Sequence, residues 1–241
     1  MSKKLLVAFD FDHTIINGNS DTIVREMLHA KPPELKPSDS WTEYMQTIFN
    51  LLHKQGIKES TYLDVITKIP ATSGMIDFLS FLNQPEIEVI IISDSNSIFI
   101  KMWLEATFEE ESIVSHVYTN EAYFDSSDML NIAMHHDPPQ DWCEMCPKNL
   151  CKGFVLAKHL KQRLDEGIEF NNVAYVGDGR NDFCPCTKLQ VKDYIFPRKG
   201  YYLAKVLDNS IAKPNFTNEV KAVVNVWETA FDIQQHLSEV L

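Results

Sequence analysis

The chain has 241 residues, 44% of them hydrophobic, which suffices for one sizeable core in a single domain with an insertion or in two domains. A formal net charge of −12, with no dense Lys/Arg stripe, argues against nucleic acid as a partner. No apolar run approaches the ~20 residues of a membrane helix, and the five apolar residues before Asp10 are too few for a signal-peptide core, so we expect no membrane partner and a cytoplasmic location.

Three short apolar stretches predict buried parallel strands, and each ends at polar sequence that contains aspartate. The strands are predicted at residues 5–9, 89–92 and 173–176, and helical patterns at 74–83, 96–107 and 151–166. This alternation predicts an α/β fold, an open Rossmann-like and mostly parallel sheet flanked by helices. Ligands of such sheets bind beyond the carboxyl ends of the strands.

Residues 18–71 do not fit the alternation, because they read as entirely helical around a loop marked by Pro32 and Pro33. We expect a small helical cap inserted after the first strand at 18–71, on an α/β core formed by 1–17 and 72–241. The alternative is ordinary helical packing against the sheet.

The later part of the chain predicts four further elements. Turn residues at 125–128 between short apolar pieces favour a β-hairpin over 122–136. Strands are predicted at 194–196 and 220–226, and an amphipathic helix at 229–241.

Asp10 and Asp12 follow the first strand, with Thr14 two places later. Two carboxylates this close repel each other and lose hydration unless a cation, hydrogen bonds or a shared proton compensates. A surface turn is the alternative interpretation, since an Asp-x-Asp pair also arises by chance.

The third strand is followed by Gly177-Asp178-Gly179 and by Asp182, a far more specific pattern. The glycines permit a tight turn, and the short acids suit a hard cation that keeps several waters. The pattern therefore favours Mg²⁺ over Ca²⁺, which usually recruits more protein oxygens.

Ser93 and Asp94 follow the second strand at the start of a helix. Such a place offers a phosphate group both a hydroxyl donor and free backbone N–H groups. The alternative is an ordinary helix N-cap, because Ser, Asp and Asn are the usual capping residues.

Taken in order, these motifs resemble the haloacid dehalogenase-type phosphatases over essentially the whole chain. The segments that carry the resemblance are FDFDHTII, IIISDSNS, CPKNLCKG, GDGRNDFCP and PRKGY. They are most similar to the group that contains phosphoethanolamine/phosphocholine phosphatase and pyridoxal phosphate phosphatase.

The resemblance implies a role for each motif residue. Asp10 would attack phosphorus and become an aspartyl phosphate, while Asp12 would protonate the leaving alcohol and later deprotonate water. The carboxylates of Asp10 and Asp178 and the backbone carbonyl of Asp12 would hold Mg²⁺, with Asp182 supporting through water. Ser93 would bind a phosphoryl oxygen.

The family also places a lysine near the phosphate, and Lys148 and Lys152 are the two candidates. We assign Lys152, because it opens the helix predicted at 151–166 and would share the site with that helix's free N–H groups. Lys148 lies in a proline-containing loop and is expected to face water.

Acids at the positions of Asp21 and Asp94 contact the substrate in the resembled family, and an amine on the leaving group would give them a cation to meet. Helix capping by Asp94 and a favourable charge at a helix N-terminus for Asp21 are the alternatives. Trp41 and Tyr44 could add a cation–π wall, although an aromatic pair at this spacing is more often core.

Three of the five cysteines, Cys143, Cys146 and Cys151, form C-x2-C-x4-C just before Lys152. They could ligate a structural zinc ion, with His135, His136 or Cys184 as the fourth ligand, or be buried as reduced thiols.

The sequence thus predicts a magnesium-dependent phosphatase that hydrolyses a small phosphomonoester, phosphoethanolamine/phosphocholine or pyridoxal 5'-phosphate, through an aspartyl-phosphate intermediate. Thiamine monophosphate or pyrophosphate are alternative substrates. An alternative of another class is a non-catalytic, zinc-stabilised module that binds phosphate.

Overall fold

The apolar stretches near positions 5, 89 and 173 form adjacent strands at the centre of a sheet. The computed structural model describes residues 3–36, 39–108, 113–208 and 220–239, and within these ranges the sheet has seven strands. The strands are β1 (Lys3–Phe9), β2 (Ile87–Asn96), β3 (His116–Phe124), β4 (Leu130–Ala133), β5 (Phe170–Gly177), β6 (Tyr194–Pro197) and β7 (Val223–Val224).

The strand order is β4-β3-β2-β1-β5-β6-β7, in which β4 runs antiparallel to β3 and the other neighbours are parallel. The chain leaves β1 on one side, toward β2 and β3, and returns on the other side at β5. Ligands of open α/β sheets bind at such a change of direction, beyond the carboxyl ends of the strands.

Helices cover both faces of the sheet. They are α1 (Ser20–Arg25), α2 (Trp41–Lys54), α3 (Glu59–Ile66), α4 (Met75–Leu82), α5 (Ser97–Phe108), α6 (Lys152–Asp165), α7 (Phe183–Cys186), α8 (Tyr202–Leu207) and α9 (Ala230–Ser238). The fold class predicted from the sequence, a mostly parallel α/β sheet flanked by helices, is confirmed.

The central strand divides the apolar core into two clusters, because successive side chains of a strand point to opposite faces. Leu5, Val7 and Phe9 pack with residues of α2, α4, α5 and α9. Leu6 and Ala8 pack with residues of α6, α7 and α8 on the other face. Burial on both faces explains why β1 reads as a continuous apolar run.

Helices α1, α2 and α3 occupy the segment between β1 and α4. The two ends of this segment meet, since Asn17 N donates to Pro70 O at 2.7 Å and Thr72 N donates to Ile15 O at 2.9 Å. Helix α2 contacts the sheet edge, where Ile132 N donates to Oε1 of Gln46 at 2.8 Å. The helical character of this insertion is as predicted, and its treatment as a separate cap over 18–71 stays a prediction.

Several predicted boundaries change in the structure. The hairpin expected over 122–136 is confirmed as β3 and β4, but β3 begins at His116 because it also pairs with β2. The strand expected over 220–226 is limited to Val223–Val224, and the last helix is Ala230–Ser238, with residues 240–241 outside the described part of the chain.

Strand β2 extends to Asn96, beyond the predicted end at residue 92, so that Ser93 and Asp94 lie within its irregular carboxyl end. Among the helices of the described ranges, none combines the length and the apolar character that crossing a bilayer would require.

Candidate active site

A polar cleft of about 220 Å³ lies beyond the carboxyl ends of β1, β2 and β5. Its walls combine acids, amides and a hydroxyl from four separate segments of the chain. The lining residues are Asp10, Asp12, His13, Asn19, Ser93, Asp94, Asp178, Gly179 and Asn181.

Asp10 stands directly after β1, and its N–H donates to Val176 O of β5 at 2.9 Å. Its Oδ1 accepts the N–H of Phe11 at 2.7 Å, and its Oδ2 lies 2.8 Å from Nζ of Lys152. Burial raises the pKa of Asp10 to about 7, and the charge of Asp182 adds to this shift while Lys152 opposes it. The site therefore holds a carboxylate that is costly to ionise without further positive charge.

Directly after Asp10, the chain forms a single π-type turn over Phe11–Ile15. His13 has a φ of 56° within it, a left-handed conformation uncommon for a non-glycine residue. The turn directs the partly buried Asp12 toward the start of α1, where its Oδ1 accepts Ser20 N at 2.8 Å and its Oδ2 accepts Nδ2 of Asn19 at 3.3 Å. Burial, and then the charge of Asp21, raises the pKa of Asp12 well above its usual range, as a proton donor at neutral pH requires.

Asp178 enters the site from the turn after β5. One carboxylate oxygen from each of Asp10, Asp178 and Asp182 lies within 4.8 Å of the other two. Burial raises the pKa of Asp178 to about 8, with further contributions from the charges of Asp10 and Asp182. The prediction that the first and third motifs meet in space therefore agrees with the geometry.

Asp182 is completely buried beneath this turn and accepts four hydrogen bonds. The donors are Nζ of Lys152 at 2.8 Å, the Tyr175 hydroxyl at 2.7 Å, Asp178 N at 3.0 Å and Gly179 N at 2.8 Å. A Cβ at Gly177 would stand 2.6 Å from Cγ of Asp182, so this approach requires glycine. Asp182 thus orients the turn and the lysine, which leaves little free capacity for a metal ion.

Lys152 is the first residue of α6, and its side chain is fully buried. Its ammonium lies 2.8 Å from both Asp10 Oδ2 and Asp182 Oδ1. Burial by itself would lower the pKa of Lys152, but Asp10, Asp182 and Asp94 outweigh it and hold that pKa above its usual range. Lys148, the other candidate, is exposed in the preceding loop.

Ser93 is buried at the edge of the cleft, where its Oγ accepts Ser95 N at 3.2 Å. The helix-capping alternative belongs to Asn96 instead, whose Oδ1 accepts Phe99 N at 3.0 Å. Asp94 is oriented by the side-chain amides of Asn149, at 3.1 Å, and Asn181. Burial raises the pKa of Asp94, although Lys152 and both amides oppose the shift.

Asp21 lies behind the cleft rather than on its wall. Its Oδ2 accepts Nε1 of Trp41 at 2.6 Å, and its buried Oδ1 has no hydrogen-bond partner among the described residues. Burial raises the pKa of Asp21 to about 7, and the charge of Asp94 adds to it. The centroid of the Trp41 ring lies 5.4 Å from that of Tyr44, with the two rings tilted by 36°, and the Tyr44 hydroxyl donates to Pro33 O at 3.1 Å.

The donor set fits a hard divalent cation. Asp10 and Asp178 offer carboxylate oxygens, and oxygen-only sites suit Mg²⁺. Burial and neighbouring acids raise the pKa values of these two residues to about 7 and 8, because the nearby positive charge is too small to compensate. A cation at this position would relieve the repulsion between the two acids.

Sequence reasoning missed the groups that orient these acids. Asn19 and Tyr175 gave no signal, because neither lies in a quoted motif and each bonds an acid seven positions away, a spacing that no local pattern predicts. Asn149 and Asn181 lie inside quoted motifs, so their positions could have suggested a role, but side-chain amides occur in too many settings for the residue type alone to indicate one.

The known proteins that this chain resembles are phosphatases. The family model described as "Putative Phosphatase" matches residues 5–241. Pyridoxal phosphate phosphatase PHOSPHO2 of Mus musculus is 40% identical over 242 residues, which cover 97% of each chain. Phosphoethanolamine/phosphocholine phosphatase of Homo sapiens is 35% identical over 245 residues, which cover 99% of this chain and 90% of the relative.

Among solved structures, a phosphoserine phosphohydrolase-like protein from Francisella tularensis subsp. tularensis SCHU S4 superposes with a TM-score of 0.61 at 15% identity, covering 98% of this chain and 99% of the other. At that identity the similarity shows the fold alone. Because the family model and the relatives of higher identity span nearly the whole chain, the protein belongs to this phosphatase family and is a phosphomonoester hydrolase.

Proposed function

We propose that this protein is a magnesium-dependent phosphatase that hydrolyses a small phosphomonoester with a cationic leaving group, through an aspartyl phosphate at Asp10. The observation that carries the proposal is the buried contact of 2.8 Å between Lys152 Nζ and Asp10 Oδ2, with a carboxylate oxygen of Asp178 within 4.8 Å of one on Asp10. The proposed nucleophile and a second acid thus line one cleft, and a buried cation contacts the nucleophile.

In the first step, a carboxylate oxygen of Asp10 forms a bond to phosphorus as the bond from phosphorus to the leaving oxygen breaks. Asp12 donates its proton to that leaving oxygen, which is why its raised pKa supports the assignment. In the second step, Asp12 takes a proton from water, whose oxygen attacks phosphorus. The O–P bond at Asp10 breaks, and inorganic phosphate leaves.

Lys152 supports both steps by neutralising charge on the phosphoryl oxygens, and the Ser93 hydroxyl donates a hydrogen bond to one of them. Lys152 can do so because Asp182 fixes its ammonium from below at 2.8 Å. A buried, oriented charge of this kind needs no rearrangement when the transition state forms.

Phosphatases of this fold generally use Mg²⁺, and the oxygen donors present here fit it. Asp10, Asp178 and the backbone carbonyl of Asp12 would hold the ion, while Asp182 would support the site indirectly by orienting Lys152 and the turn that carries Asp178. When bound, Mg²⁺ supplies positive charge that neutralises the phosphoryl oxygens and the acids around them.

The substrate proposal combines the relatives with the acids around the cleft. The relatives are named for pyridoxal phosphate, phosphoethanolamine and phosphocholine, all of them small phosphomonoesters that contain nitrogen. Asp94 lines the cleft beside Ser93, and the unpartnered Oδ1 of Asp21 lies behind it. The negative charge of Asp94 on the wall of the cleft and of Asp21 behind it favours a leaving group with positive charge.

The test measures inorganic phosphate released from phosphoethanolamine, phosphocholine, pyridoxal 5'-phosphate, thiamine monophosphate and glycerol phosphate, with Mg²⁺ or with chelator. We expect Mg²⁺-dependent turnover that favours the nitrogen-containing esters over glycerol phosphate and is lost in Asp10→Asn. The exposed Lys148→Ala variant is the matched control and should keep its activity.

Activity that survives both chelation and Asp10→Asn would contradict the mechanism. Equal turnover of glycerol phosphate and the cationic esters would contradict the proposed substrate class while leaving the mechanism intact.

A further inference from the structure

A second cluster of potential metal ligands, separate from the acids, lies on the face of the sheet that α6, α7 and α8 cover. The Sγ atoms of Cys143, Cys146, Cys151 and Cys184 all lie within 4.8 Å of one another. Cys143 and Cys184 are 3.6 Å apart, and Cys151 and Cys184 are 3.9 Å apart. The cluster joins three segments: the loop before α6, the N-cap residue of α6, and α7.

We propose that these four thiols bind one structural Zn²⁺ ion. Tetrahedral zinc with Zn–S bonds of about 2.3 Å places its sulfurs roughly 3.8 Å apart, between the two separations given above. Four sulfur donors select a soft or borderline metal, whereas the oxygen-only cluster at Asp10 and Asp178 selects a hard one. The two clusters are therefore chemically distinct sites.

Cys184 is the fourth ligand in this assignment, and the histidines considered from the sequence are not part of the cluster. Nδ1 of His135 instead lies 3.1 Å from Thr119 O. Cys146, Cys151 and Cys184 are buried and Cys143 is partly exposed, so the site is closed, as structural zinc sites are.

The loop that carries Cys143 and Cys146 is held in shape by Gln140, whose side chain is buried. Nε2 of Gln140 donates toward the carbonyls of Cys143 at 3.0 Å, Cys146 at 3.1 Å and Pro147 at 2.9 Å, and Cys143 N donates to its Oε1 at 2.9 Å. These hydrogen bonds hold the backbone that carries Cys143 and Cys146, and so keep their sulfurs close to those of Cys151 and Cys184. Groups around metal ligands typically have this role.

Helix α6 approaches the cluster closely. A Cβ at Gly153 would stand 2.5 Å from Sγ of Cys184, so only glycine fits there. Cys151 lies at the N-terminus of α6, where free N–H groups favour thiolate over thiol. Zinc binding requires that ionisation.

The position of the cluster gives the ion a structural consequence. Cys151 directly precedes Lys152, and Cys184 follows Asp182 by two residues. One zinc ion would therefore link the start of α6 to α7, which directly follows Asp182, and so hold the Lys152–Asp182 contact of 2.8 Å. The effect on catalysis rests on the proposed function, whereas the metal site itself does not.

The first test is metal analysis by mass spectrometry of the full chain, purified without added zinc and dialysed into magnesium-containing buffer. We expect about one zinc per chain, released when an organomercurial modifies the thiols and detected with a chromogenic chelator. Zinc content is independent of phosphatase activity, so a failed activity assay and a failed zinc assay are distinguishable.

Variants assign the ligands. Cys184→Ser should weaken zinc binding by roughly 100-fold or more, because it removes a direct ligand. Cys186→Ser is the matched control, since Cys186 is a buried cysteine of the same helix whose Sγ donates to Asp182 O at 3.0 Å, outside the cluster, and it should keep its zinc.

If Cys184→Ser does not fold, Cys143→Ser, at the partly exposed edge of the cluster, serves in its place. Replacement of zinc by cobalt in the unchanged chain provides a second measurement, and the visible bands of a tetrahedral cobalt thiolate would support the proposal. Chains that contain no zinc and whose four thiols all react freely would overturn it, as would iron in the place of zinc or undiminished zinc in Cys184→Ser and Cys143→Ser.

Discussion

Buried acids lie near both ends of the parallel strands, and their pKa values shift in opposite directions. At the carboxyl ends, burial and neighbouring acids raise the pKa values of Asp10 and Asp178 to about 7 and about 8. Near the amino end of β2, Glu88 is equally buried, at 2% exposure. Burial would raise its pKa too, but hydrogen bonds from His159 and Arg163 outweigh it and lower that pKa to about 2.

The difference lies in the partners of each acid. Glu88 Oε2 accepts Nη2 of Arg163 at 2.8 Å, and its Oε1 lies 3.0 Å from Nε2 of His159. In the cleft, Asp10 and Asp182 instead share the ammonium of Lys152. A carboxylate oxygen of Asp178 lies within 4.8 Å of one on each of these acids. A buried acid with sufficient partners ties elements together, whereas acids with too few retain a demand for positive charge that a metal ion can meet.

The largest expected effect is on turnover, and it should come from the charges around the cleft and not from Glu88. Lys152→Met should lower the turnover number by roughly 10³-fold, because it removes the buried charge that faces the phosphoryl group. Phosphate release at saturating substrate measures this, with circular dichroism to verify folding. A folded variant within tenfold of the parent would show that Lys152 is not needed for the chemistry.

The converse variant tests stability. Glu88→Gln should lower the free energy of unfolding by about 2–3 kcal/mol, because it leaves Arg163 and His159 without their buried carboxylate partner, while turnover stays nearly unchanged. Urea denaturation and phosphate release measure the two quantities. The exposed Glu86→Gln, two residues earlier, is the matched control and should change neither. A loss of turnover at unchanged stability would place Glu88 in the catalytic machinery instead.

The comparison also predicts a pH dependence. Acids with raised pKa values hold more protons in the folded state than in the unfolded state, so magnesium-free protein should lose stability as the pH rises from about 4 through 7 and 8, the values for Asp10 and Asp178. Glu88, with a lowered pKa, contributes stability above about 4.5 that is lost as the pH falls toward 2. Stability without Mg²⁺ should therefore be greatest near pH 4, where the two opposing slopes meet.

Urea denaturation between about pH 2.5 and 8 measures this profile, with and without Mg²⁺. Added Mg²⁺ should stabilise the protein more at pH 8 than at pH 5.5, because it binds the ionised acids. Asp178→Asn should flatten the fall at high pH and leave the fall at low pH. Magnesium-free protein that gains stability between pH 5 and 8 would contradict the assignment of the raised pKa values.

The smallest effect concerns an acid at the margin of the cleft. Asp21→Asn keeps an acceptor for Trp41 but removes a charge, so we expect about a tenfold rise in KM for cationic esters, equivalent to about 1.4 kcal/mol, with little change for glycerol phosphate. Initial-rate kinetics on phosphocholine and glycerol phosphate measure this difference. An equal effect on both esters would show that Asp21 acts only on the structure of the site.

The sequence by itself determined the local elements and the identity of the motifs. The burial of β1 on both faces follows from its apolar run, and the glycine at position 177 follows from a turn whose packing excludes any Cβ. Lys152 was assigned over Lys148 because it opens a helix, and the structure places its ammonium 2.8 Å from Asp10. Such features are encoded by residues adjacent in the chain, so periodicity and turn chemistry reveal them.

Only the tertiary structure decided which residues meet. It joined Glu88 to Arg163, 75 positions away, and Asn149 to Asp94, 55 positions away. It also selected Cys184 to complete the thiol cluster and surrounded Asp182 with four donors, so that its carboxylate orients Lys152. These contacts depend on the order of strands in the sheet, and a pattern of neighbouring residues carries no record of which distant side chain will satisfy a buried charge.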